Sequence, residues 1–483
     1  MPQQPNRRTF VKTSAAIGAG YWAAGGVTPR RTWASRLEQV QFGCIGIGGK
    51  GSSDSADAAR TGHVVAVCDI DEEILKKGGE NFADAKSFYD FREMLDQMGD
   101  RIDAVTVSTP DHTHAVAGLE AMRRGKHCFC QKPLTHSIEE ARLMGEAARS
   151  GTLVTQMGNQ GTAGTILRRS AHLIQNGHIG DVQHVHVWTN RPVWPQGIDI
   201  QIKESPNDTA EDREAWEKRV AQVHWDEWIG PASKRPYSPE IHPFKWRGFW
   251  DFGTGALGDM ACHTLNMAFM ALNLQNPTSV SAVSSGHDKV MYPKWSQIEF
   301  EFPEHQGRPA LGMTWYDGGK MPPVDLIRDL PKSRGGGREQ AYSSGALVVG
   351  SEGMLFSPGD YGGDEQGNTG ILRPNGKYEK QRRIELPEDA VAVSPGHFDE
   401  FTQAIEGKGT PMSNFPDYAG PLTETILLGN LAVWAAGDEP ISWDAQTMQA
   451  SNVPTDAEAA VEEMVRHTYH NGYDLHAMAG SGK

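Results

Sequence analysis

The feature that most constrains the fold is a glycine-rich turn between two apolar runs. Gly46-Ile47-Gly48-Gly49-Lys50-Gly51 has the spacing G-x-G-x-x-G and follows an apolar run that begins at Gln41. A helix-like segment and a second apolar run come next, and that run leads to Asp69, 21 residues after Gly48. This order of strand, glycine turn, helix, strand and acidic residue is typical of the first βαβ unit of a dinucleotide-binding sheet.

The parts of this turn have distinct physical roles. Gly46 permits the tight turn, Gly48 with Gly49 beside it lets the backbone approach a pyrophosphate, and Gly51 lets the helix pack on the strand. The start of the helix offers free N–H groups and a positive dipole to the phosphates. Asp69 is expected to accept hydrogen bonds from the adenosine ribose and to repel a 2′-phosphate. The sequence therefore favours NAD over NADP, although Lys50 or Arg60 could still accommodate NADP.

Strand-like and helix-like segments alternate from Val40 to about Gly158. The strand-like runs are apolar on both faces, which indicates a parallel sheet covered by helices on both sides. The segment Ser137–Arg149 has apolar residues at helical spacing and begins with a capping box of Ser137 and Glu140. We therefore predict a dinucleotide-binding Rossmann domain of the α/β class over residues 38–158.

The pattern changes beyond Asn159. Val182–Trp188 alternates polar and apolar residues, as expected for a sheet with one covered face. Further strands are predicted at Val280–Ser284, Gln297–Phe302, Ala310–Tyr316 and Ala346–Val349. Two long loops are predicted at Trp194–Ala215 and Gly318–Tyr342, and two amphipathic helices at His397–Ile405 and Pro421–Ala435. Residues 159–483 are therefore expected to form an α+β domain for substrate binding and oligomerisation, with a large, mostly antiparallel open sheet.

Charge and cysteine content exclude some classes of function. Acidic residues outnumber basic ones by 61 to 46, giving a net charge of -15, which argues against nucleic acid or an anionic membrane as the main partner. The cysteines are odd in number and lie mostly in apolar runs, so we interpret them as small buried hydrophobes rather than disulfides or metal ligands. They are Cys44, Cys68, Cys128, Cys130 and Cys262. No metal is predicted.

Residues 1–34 resemble a twin-arginine export signal. Arg7 and Arg8 stand before Thr9-Phe10-Val11-Lys12, a weakly apolar stretch follows, and small residues surround a possible cut after Ala34. The segment holds five Lys or Arg and no Asp or Glu. Its apolar run is too short for a stable membrane span. We expect a periplasmic or secreted protein with no membrane attachment in its mature form; the alternative is a disordered basic tail.

Three further patterns carry chemistry. Ser108-Thr109-Pro110-Asp111-His112-Thr113-His114 and Gln131-Lys132-Pro133 each follow a strand, at the edge where ligands bind in such sheets. In the second domain Asp259 and His263 are four residues apart and share a face if that segment is helical. A carboxylate beside an imidazole can orient it to take a hydroxyl proton, and a nearby lysine can hydrogen-bond the same oxygen.

The combination resembles the Gfo/Idh/MocA family, the relatives of glucose–fructose oxidoreductase and inositol dehydrogenase, from Val40 to roughly Asp444. In that family a strand-end E-K-P carries a lysine and a D-x-x-x-H supplies an aspartate and a histidine. The resemblance implies that Lys132, Asp259 and His263 lie at the reacting centre, with His263 as proton acceptor. It also implies that the turn with Thr109, Pro110 and His114 lines the cofactor. One departure is Gln131, where the family usually has glutamate.

The expected function is NAD(P)-dependent hydride transfer between nicotinamide and a secondary hydroxyl of a sugar, glycoside or cyclitol. Trp246 and Arg247 are candidates for substrate contact, since aromatic faces stack on sugar rings, but the tryptophan could equally belong to the core. Two other functions stay open: an NAD-retaining glycoside hydrolase that acts by transient oxidation and elimination, and a non-catalytic dinucleotide-binding protein. A homo-oligomer, dimer or tetramer, is expected because open sheet faces commonly pair.

Overall fold

The structure, a computed structural model, describes residues 39–207, 209–335, 338–363, 367–437 and 439–480. The export signal predicted over residues 1–34 lies outside the described residues. From Val40 onwards the chain forms one compact unit.

The first sheet has six strands, all parallel, in the order β3-β2-β1-β4-β5-β6. Its strands and helices are β1 (Gln41–Ile45), α1 (Lys50–Thr61), β2 (His63–Cys68), α2 (Glu72–Asn81), β3 (Lys86–Phe88), α3 (Phe91–Met98), β4 (Ala104–Val107), α4 (Asp111–Arg123), β5 (His127–Cys130), α5 (Ile138–Gly151) and β6 (Thr155–Met157). The capping box of Ser137 and Glu140 is present at the start of α5. The predicted parallel α/β sheet is thus confirmed.

Both faces of this sheet are buried, as its apolar runs require. In β1, Phe42 and Cys44 point into one apolar cluster and Ile45 into another. The first cluster also contains side chains of a helix from far along the chain, α12 (His397–Ile405). There Phe398 packs on Phe129 with ring centroids 4.8 Å apart. The C-terminal part of the chain therefore returns to cover the first sheet.

The second sheet has ten strands in the order β16-β15-β14-β13-β7-β10-β9-β8-β17-β18. Only β7 and β10 pair in parallel among its described strands, and the other pairs are antiparallel. The predicted large, mostly antiparallel sheet is confirmed. Its strands are β7 (Val182–Trp188), β8 (Ser279–Ser284), β9 (Ser296–Phe302), β10 (Leu311–Tyr316), β13 (Gly345–Gly350), β14 (Gly353–Pro358), β15 (Gly370–Leu372), β16 (Tyr378–Lys380), β17 (Ile441–Asp444) and β18 (Gln449–Ser451), while β11 (Ser333–Gly335) and β12 (Arg338–Gln340) form a separate hairpin.

The other helices of the second half lie between and around these strands. They are α6 (Thr165–Gln175), α7 (Ala210–Gln222), α8 (Trp225–Ile229), α9 (Gly255–Thr264), α10 (Asn266–Leu272), α11 (Val324–Ile327), α13 (Gly420–Ala435), α14 (Glu458–Val465) and α15 (Leu475–Met478). Helix α7 begins inside a segment that the sequence pattern presents as a loop, because its polar composition hides the helical period.

Helix α13 differs from its prediction. The sequence indicates an amphipathic helix, but the structure buries it around nearly its whole circumference. The reason is its position, because it packs on α5 and α9, on strand β8 and on α14. A helix covered on all sides needs no polar face.

No helix among the described residues is long and apolar enough to cross a membrane. Within the same residues, no three His, Cys, Asp or Glu side chains are placed to hold a metal ion. All five cysteines are buried and unbridged.

Candidate active site

The carboxyl ends of strands β1, β2, β4 and β5 border one cleft of about 410 Å³. In open α/β sheets ligands bind outside these strand ends. Of the residues predicted for the site, the cleft is lined by Gly46, Gly48, Gly49, Asp69, Thr109, Pro110, Lys132, Trp246, Arg247 and Asp259. The structure therefore brings most of the predicted cofactor, catalytic and substrate residues together, but Gly51, His114 and the predicted proton acceptor His263 do not line the cleft.

The glycine turn forms as its spacing predicts. Gly46 has φ of 73°, a conformation that L side chains rarely adopt, and a Cβ there would lie 2.7 Å from the carbonyl oxygen of Ser108. A Cβ on Gly51 would lie only 1.9 Å from the carbonyl oxygen of Gly46, so the helix can approach β1 only with glycine there. Helix α1 starts at Lys50 without a side-chain cap. Its N-terminus is thus open to an anionic ligand in the cleft.

Asp69 lies at the end of β2, and its carboxylate accepts hydrogen bonds from the backbone of the glycine turn. One carboxylate oxygen accepts hydrogen bonds from the backbone N–H of Ile47, at 2.9 Å, and of Gly48, at 3.2 Å. The other accepts from the N–H of Asp71 at 3.0 Å. Burial raises the pKa of Asp69 to about 6, against the opposing effect of these hydrogen bonds. Its place beside the turn fits the ribose-binding acid of a dinucleotide site.

The turn after β4 is fixed by His114. Its ring is fully buried, with Nδ1 2.8 Å from the carbonyl oxygen of Pro133 and Nε2 2.9 Å from that of Thr109. Burial lowers the pKa of His114 to about 4. His114 thus lies between the turns that follow β4 and β5, and its neutral ring donates to one of these two carbonyl oxygens.

Lys132 and Asp259 form an ion pair in the wall of the cleft. The ammonium of Lys132 donates to a carboxylate oxygen of Asp259 and to its backbone carbonyl, each at 2.8 Å. Arg247 also contacts the Asp259 carboxylate, at 3.4 Å. Burial by itself would raise the pKa of Asp259, but the charges of Lys132 and Arg247 outweigh it and lower the pKa to about 2. The aspartate is therefore a permanent anion that orients two cations.

His263 lies one turn further along α9 and is buried. Its ring packs edge-on against Tyr361, with centroids 4.7 Å apart. Nδ1 has no hydrogen-bond partner among the described residues. Burial, reinforced by Lys132, lowers the pKa of His263 well below its usual range. The ring is therefore neutral near pH 7.

The predicted substrate residues form one wall of the cleft. The Arg247 guanidinium lies 4.2 Å from the ring centroid of Trp246 and 4.8 Å from that of Phe244. Trp246 is buried, whereas Phe244 is about half exposed. The guanidinium lies over both rings, and its N–H groups can donate to the hydroxyl groups of a sugar ring.

Asp111 is a cleft residue that the sequence reasoning missed. It begins α4, it is buried, and its carboxyl group accepts a hydrogen bond of 2.6 Å from the hydroxyl of Thr254. Burial raises the pKa of Asp111 to about 7, although Lys132 and Arg247 oppose the shift. The only sign of it in the sequence is its place in the polar run that follows β4. Its raised pKa depends on packing, which the sequence pattern does not show. Asp111 can exchange a proton near neutral pH.

Comparisons with known proteins agree with the two-domain fold. Residues 40–159 match the Gfo/Idh/MocA family model described as an oxidoreductase family with an NAD-binding Rossmann fold. Residues 210–307 match the model of the family's C-terminal alpha/beta domain.

Among curated proteins, the chain is 24% identical over 260 residues to an alpha-N-acetylgalactosaminidase of Shewanella oneidensis. The match covers 47% of this chain and 54% of that protein, so the chain spans about half the length of the curated relatives it matches. A second relative, named glycosyl hydrolase family 109 protein 2, comes from Akkermansia muciniphila and is 26% identical over 222 residues, 37% of this chain and 46% of that protein.

A solved structure with the same fold is the WlbA dehydrogenase of Chromobacterium violaceum in complex with NADH and UDP-GlcNAcA. It has a TM-score of 0.56 and 17% identity, and covers 87% of this chain and 99% of its own. An inositol dehydrogenase homologue of Azotobacter vinelandii, complexed with NADH and myo-inositol, has a TM-score of 0.51 and 18% identity, with 84% and 98% covered. Residues 40–159 and 210–307 thus match the two domain models of the Gfo/Idh/MocA oxidoreductase family, an NAD-binding Rossmann fold followed by a C-terminal alpha/beta domain.

Proposed function

We propose that this protein transfers hydride between NAD and a secondary hydroxyl of a sugar, glycoside or cyclitol. The observation that carries the proposal is the Lys132–Asp259 pair, which lies in the same cleft as the glycine turn and Asp69. The glycine turn and the start of α1 fit a dinucleotide: Cβ atoms at Gly46 and Gly51 would clash with the backbone that shapes the turn, and a Cβ at Gly49 would meet nothing within 4 Å. When bound, the nicotinamide ring supplies the hydride acceptor or donor.

In this proposal the protein's own residues manage the proton and the charge. Lys132, held by Asp259, donates a hydrogen bond to the substrate oxygen and stabilises the negative charge that develops there. His263 is the proposed proton acceptor because its Nδ1 has no hydrogen-bond partner among the described residues and because it lies one helical turn from Asp259. Asp111, with its raised pKa, is the second candidate for that role. Trp246, Arg247 and Phe244 are proposed to bind the sugar ring.

We propose NAD rather than NADP as the cofactor. Asp69 occupies the position at which a dinucleotide fingerprint carries its ribose-binding acid, and a carboxylate there repels a 2′-phosphate. The two cations that could offset this repulsion, Lys50 and Arg60, are paired with other carboxylates. Lys50 pairs with Asp54. Arg60 pairs with Asp399 at 2.8 Å and with Asp57 at 3.1 Å.

The direct test begins with the nucleotide. Denaturing the purified protein and identifying the released nucleotide and its redox state checks the cofactor. Incubation with NAD and a panel of sugars, glycosides and cyclitols then checks the reaction by the absorbance of reduced nicotinamide. Net NADH formation by the wild-type protein and its loss in Lys132→Met support the proposal. Tight NAD binding without turnover of any panel member would favour a non-catalytic dinucleotide-binding protein.

The second candidate function is an NAD-retaining glycoside hydrolase that oxidises, eliminates, adds water and re-reduces. It is favoured by the curated relatives, which are named as an alpha-N-acetylgalactosaminidase and family 109 glycosyl hydrolases. The cleft also holds Asp111, whose pKa is raised to about 7 by burial, so this carboxyl group can give or take a proton in such a cycle. Release of free sugar without net NADH identifies the hydrolase, and NADH without sugar release identifies the dehydrogenase.

We also propose that residues 1–34 direct export by the twin-arginine route and that the protein acts as a homodimer or homotetramer. The first proposal predicts that residues 1–34 export a folded reporter and that Arg7→Lys with Arg8→Lys stops the export. Light scattering coupled to size exclusion measures the second.

A further inference from the structure

Asp54 is a buried carboxylate beneath the cleft that no step of the proposed reaction uses. It lies in α1 with 1% of its surface exposed and does not line the cleft itself. Its partners do: Lys50 pairs with it, Ser108 donates to it at 2.7 Å, and Gln131 donates to it at 2.8 Å. These partners come from the turn-and-helix unit after β1 and from the ends of β4 and β5. One carboxylate therefore joins three segments that form the cleft.

This contact fixes the orientation of the Gln131 amide. An ionised carboxylate only accepts hydrogen bonds, so the atom of Gln131 that faces Asp54 must be the NH₂ group. The amide oxygen then points the other way, 3.4 Å from the backbone N–H of Lys132. Gly158 leaves the space that the amide occupies, because a Cβ there would lie 2.3 Å from its nitrogen. The Gln131 amide is thus held between Asp54 and the backbone of Lys132, the residue proposed to act on the substrate oxygen.

The same geometry explains why residue 131 is not a glutamate. A carboxylate at position 131 would lie 2.8 Å from that of Asp54, and two like charges that close cannot both remain ionised in a buried site without a large cost. With aspartate at position 54, an amide at position 131 supplies a hydrogen-bond donor to that carboxylate and adds no second negative charge. Positions 54 and 131 are therefore electrostatically coupled.

We propose that Asp54 is a positioning residue of the cofactor site. Through its hydrogen bonds it orients Gln131 and Ser108, the side chains at the ends of β5 and β4 that line the cleft for the nicotinamide dinucleotide. The proposal concerns cofactor binding and does not depend on which sugar is the substrate. The measurable consequence concerns NAD affinity. Swapping carboxylate and amide at positions 54 and 131 together should preserve the affinity, whereas changing either position alone should lower it.

The test is a double-mutant cycle read out as NAD affinity, measured by titration calorimetry on full-length protein freed of bound nucleotide. Asp54→Asn and Gln131→Glu are each expected to weaken NAD binding about tenfold, equivalent to about 1.4 kcal/mol. The double variant restores one carboxylate and one amide across the contact and is expected to bind NAD within about threefold of wild type. Asp57→Asn, an exposed aspartate in the same helix, is the matched control and should leave affinity unchanged.

Melting temperature distinguishes a positioning role of Asp54 from a purely structural one. If Asp54 only stabilised the fold, its single variant would melt earlier yet bind NAD normally once folded, which overturns the proposal. A double variant as weak as the two singles combined also overturns it. If Asp54→Asn fails to fold, Ser108→Ala removes one hydrogen bond to the same carboxylate and should weaken NAD binding by a smaller factor; unchanged affinity in that variant counts against the proposal.

Discussion

The ammonium of Lys132 lies 2.8 Å from a carboxylate oxygen of Asp259, although the two residues are 127 positions apart in the chain. Lys132 follows a strand of the first sheet and Asp259 lies on a helix of the second half. This single ion pair joins the dinucleotide side of the cleft to the side that carries the proposed substrate wall.

Replacing Lys132 is expected to stop the chemistry without removing the cofactor. Lys132→Met keeps an unbranched side chain, one atom shorter, but has no ammonium group to stabilise charge on the substrate oxygen. We expect kcat to fall by about 10²–10⁴-fold, as measured by NADH formation with the substrate found in the panel. NAD affinity should change by less than about threefold, equivalent to about 0.65 kcal/mol. Retained activity would show that the reacting centre lies elsewhere.

His263→Asn tests the proposed proton acceptor. The amide has no basic lone pair at neutral pH, so kcat should fall by about 10²-fold or more with NAD affinity intact. Asp111→Asn is measured alongside, with kcat/KM followed against pH. A larger loss in Asp111→Asn, together with disappearance of a rise in kcat/KM near pH 7, would assign the proton to Asp111 instead.

Asp111 also predicts how stability varies with pH. Its folded-state pKa is raised to about 7, whereas an aspartate in an unfolded chain titrates near about 4. The folded state therefore binds the proton more tightly, and the carboxyl group destabilises it progressively as pH rises from about 4 to about 7. Asp111→Asn should raise Tm relative to wild type at about pH 8, with the difference vanishing near about pH 4. An equal difference at both pH values would contradict this origin.

Gly51→Ala should disrupt the dinucleotide turn. The added Cβ would lie 1.9 Å from the carbonyl oxygen of Gly46, which belongs to the backbone and cannot move without displacing β1 from α1. We expect a loss of at least about 2 kcal/mol in the free energy of unfolding and of measurable NAD binding. Gly79→Ala is the matched control. That site in α2 has open space around it, so the change should be neutral or stabilise the protein by up to about 1 kcal/mol.

Asp69→Ser tests the choice of cofactor. Removing the carboxylate removes the repulsion of a 2′-phosphate and one anchor of the ribose, so the ratio of NAD to NADP affinity should fall by about tenfold or more, equivalent to about 1.4 kcal/mol. Calorimetric titration with each nucleotide gives the ratio. An unchanged ratio would mean that discrimination lies outside the end of β2.

The sequence by itself determined the first sheet, the glycine turn and the capping box of α5. These depend on local rules: a period of two or 3.6 residues, a positive φ that favours glycine at position 46, and a serine and glutamate three residues apart. It also placed Lys132 at a strand end, because the edge of a parallel sheet follows from the order of strands.

Only the tertiary structure decided which side chains meet and which are removed from water. The contact of Lys132 with Asp259 and that of Gln131 with Asp54 join residues far apart in the chain, and no local period encodes them. The raised pKa of Asp111 and the burial of α13 follow from what packs around them. Neighbours across the chain and exclusion of solvent are properties of the folded assembly, so they become visible only when both sheets and their helices are in place.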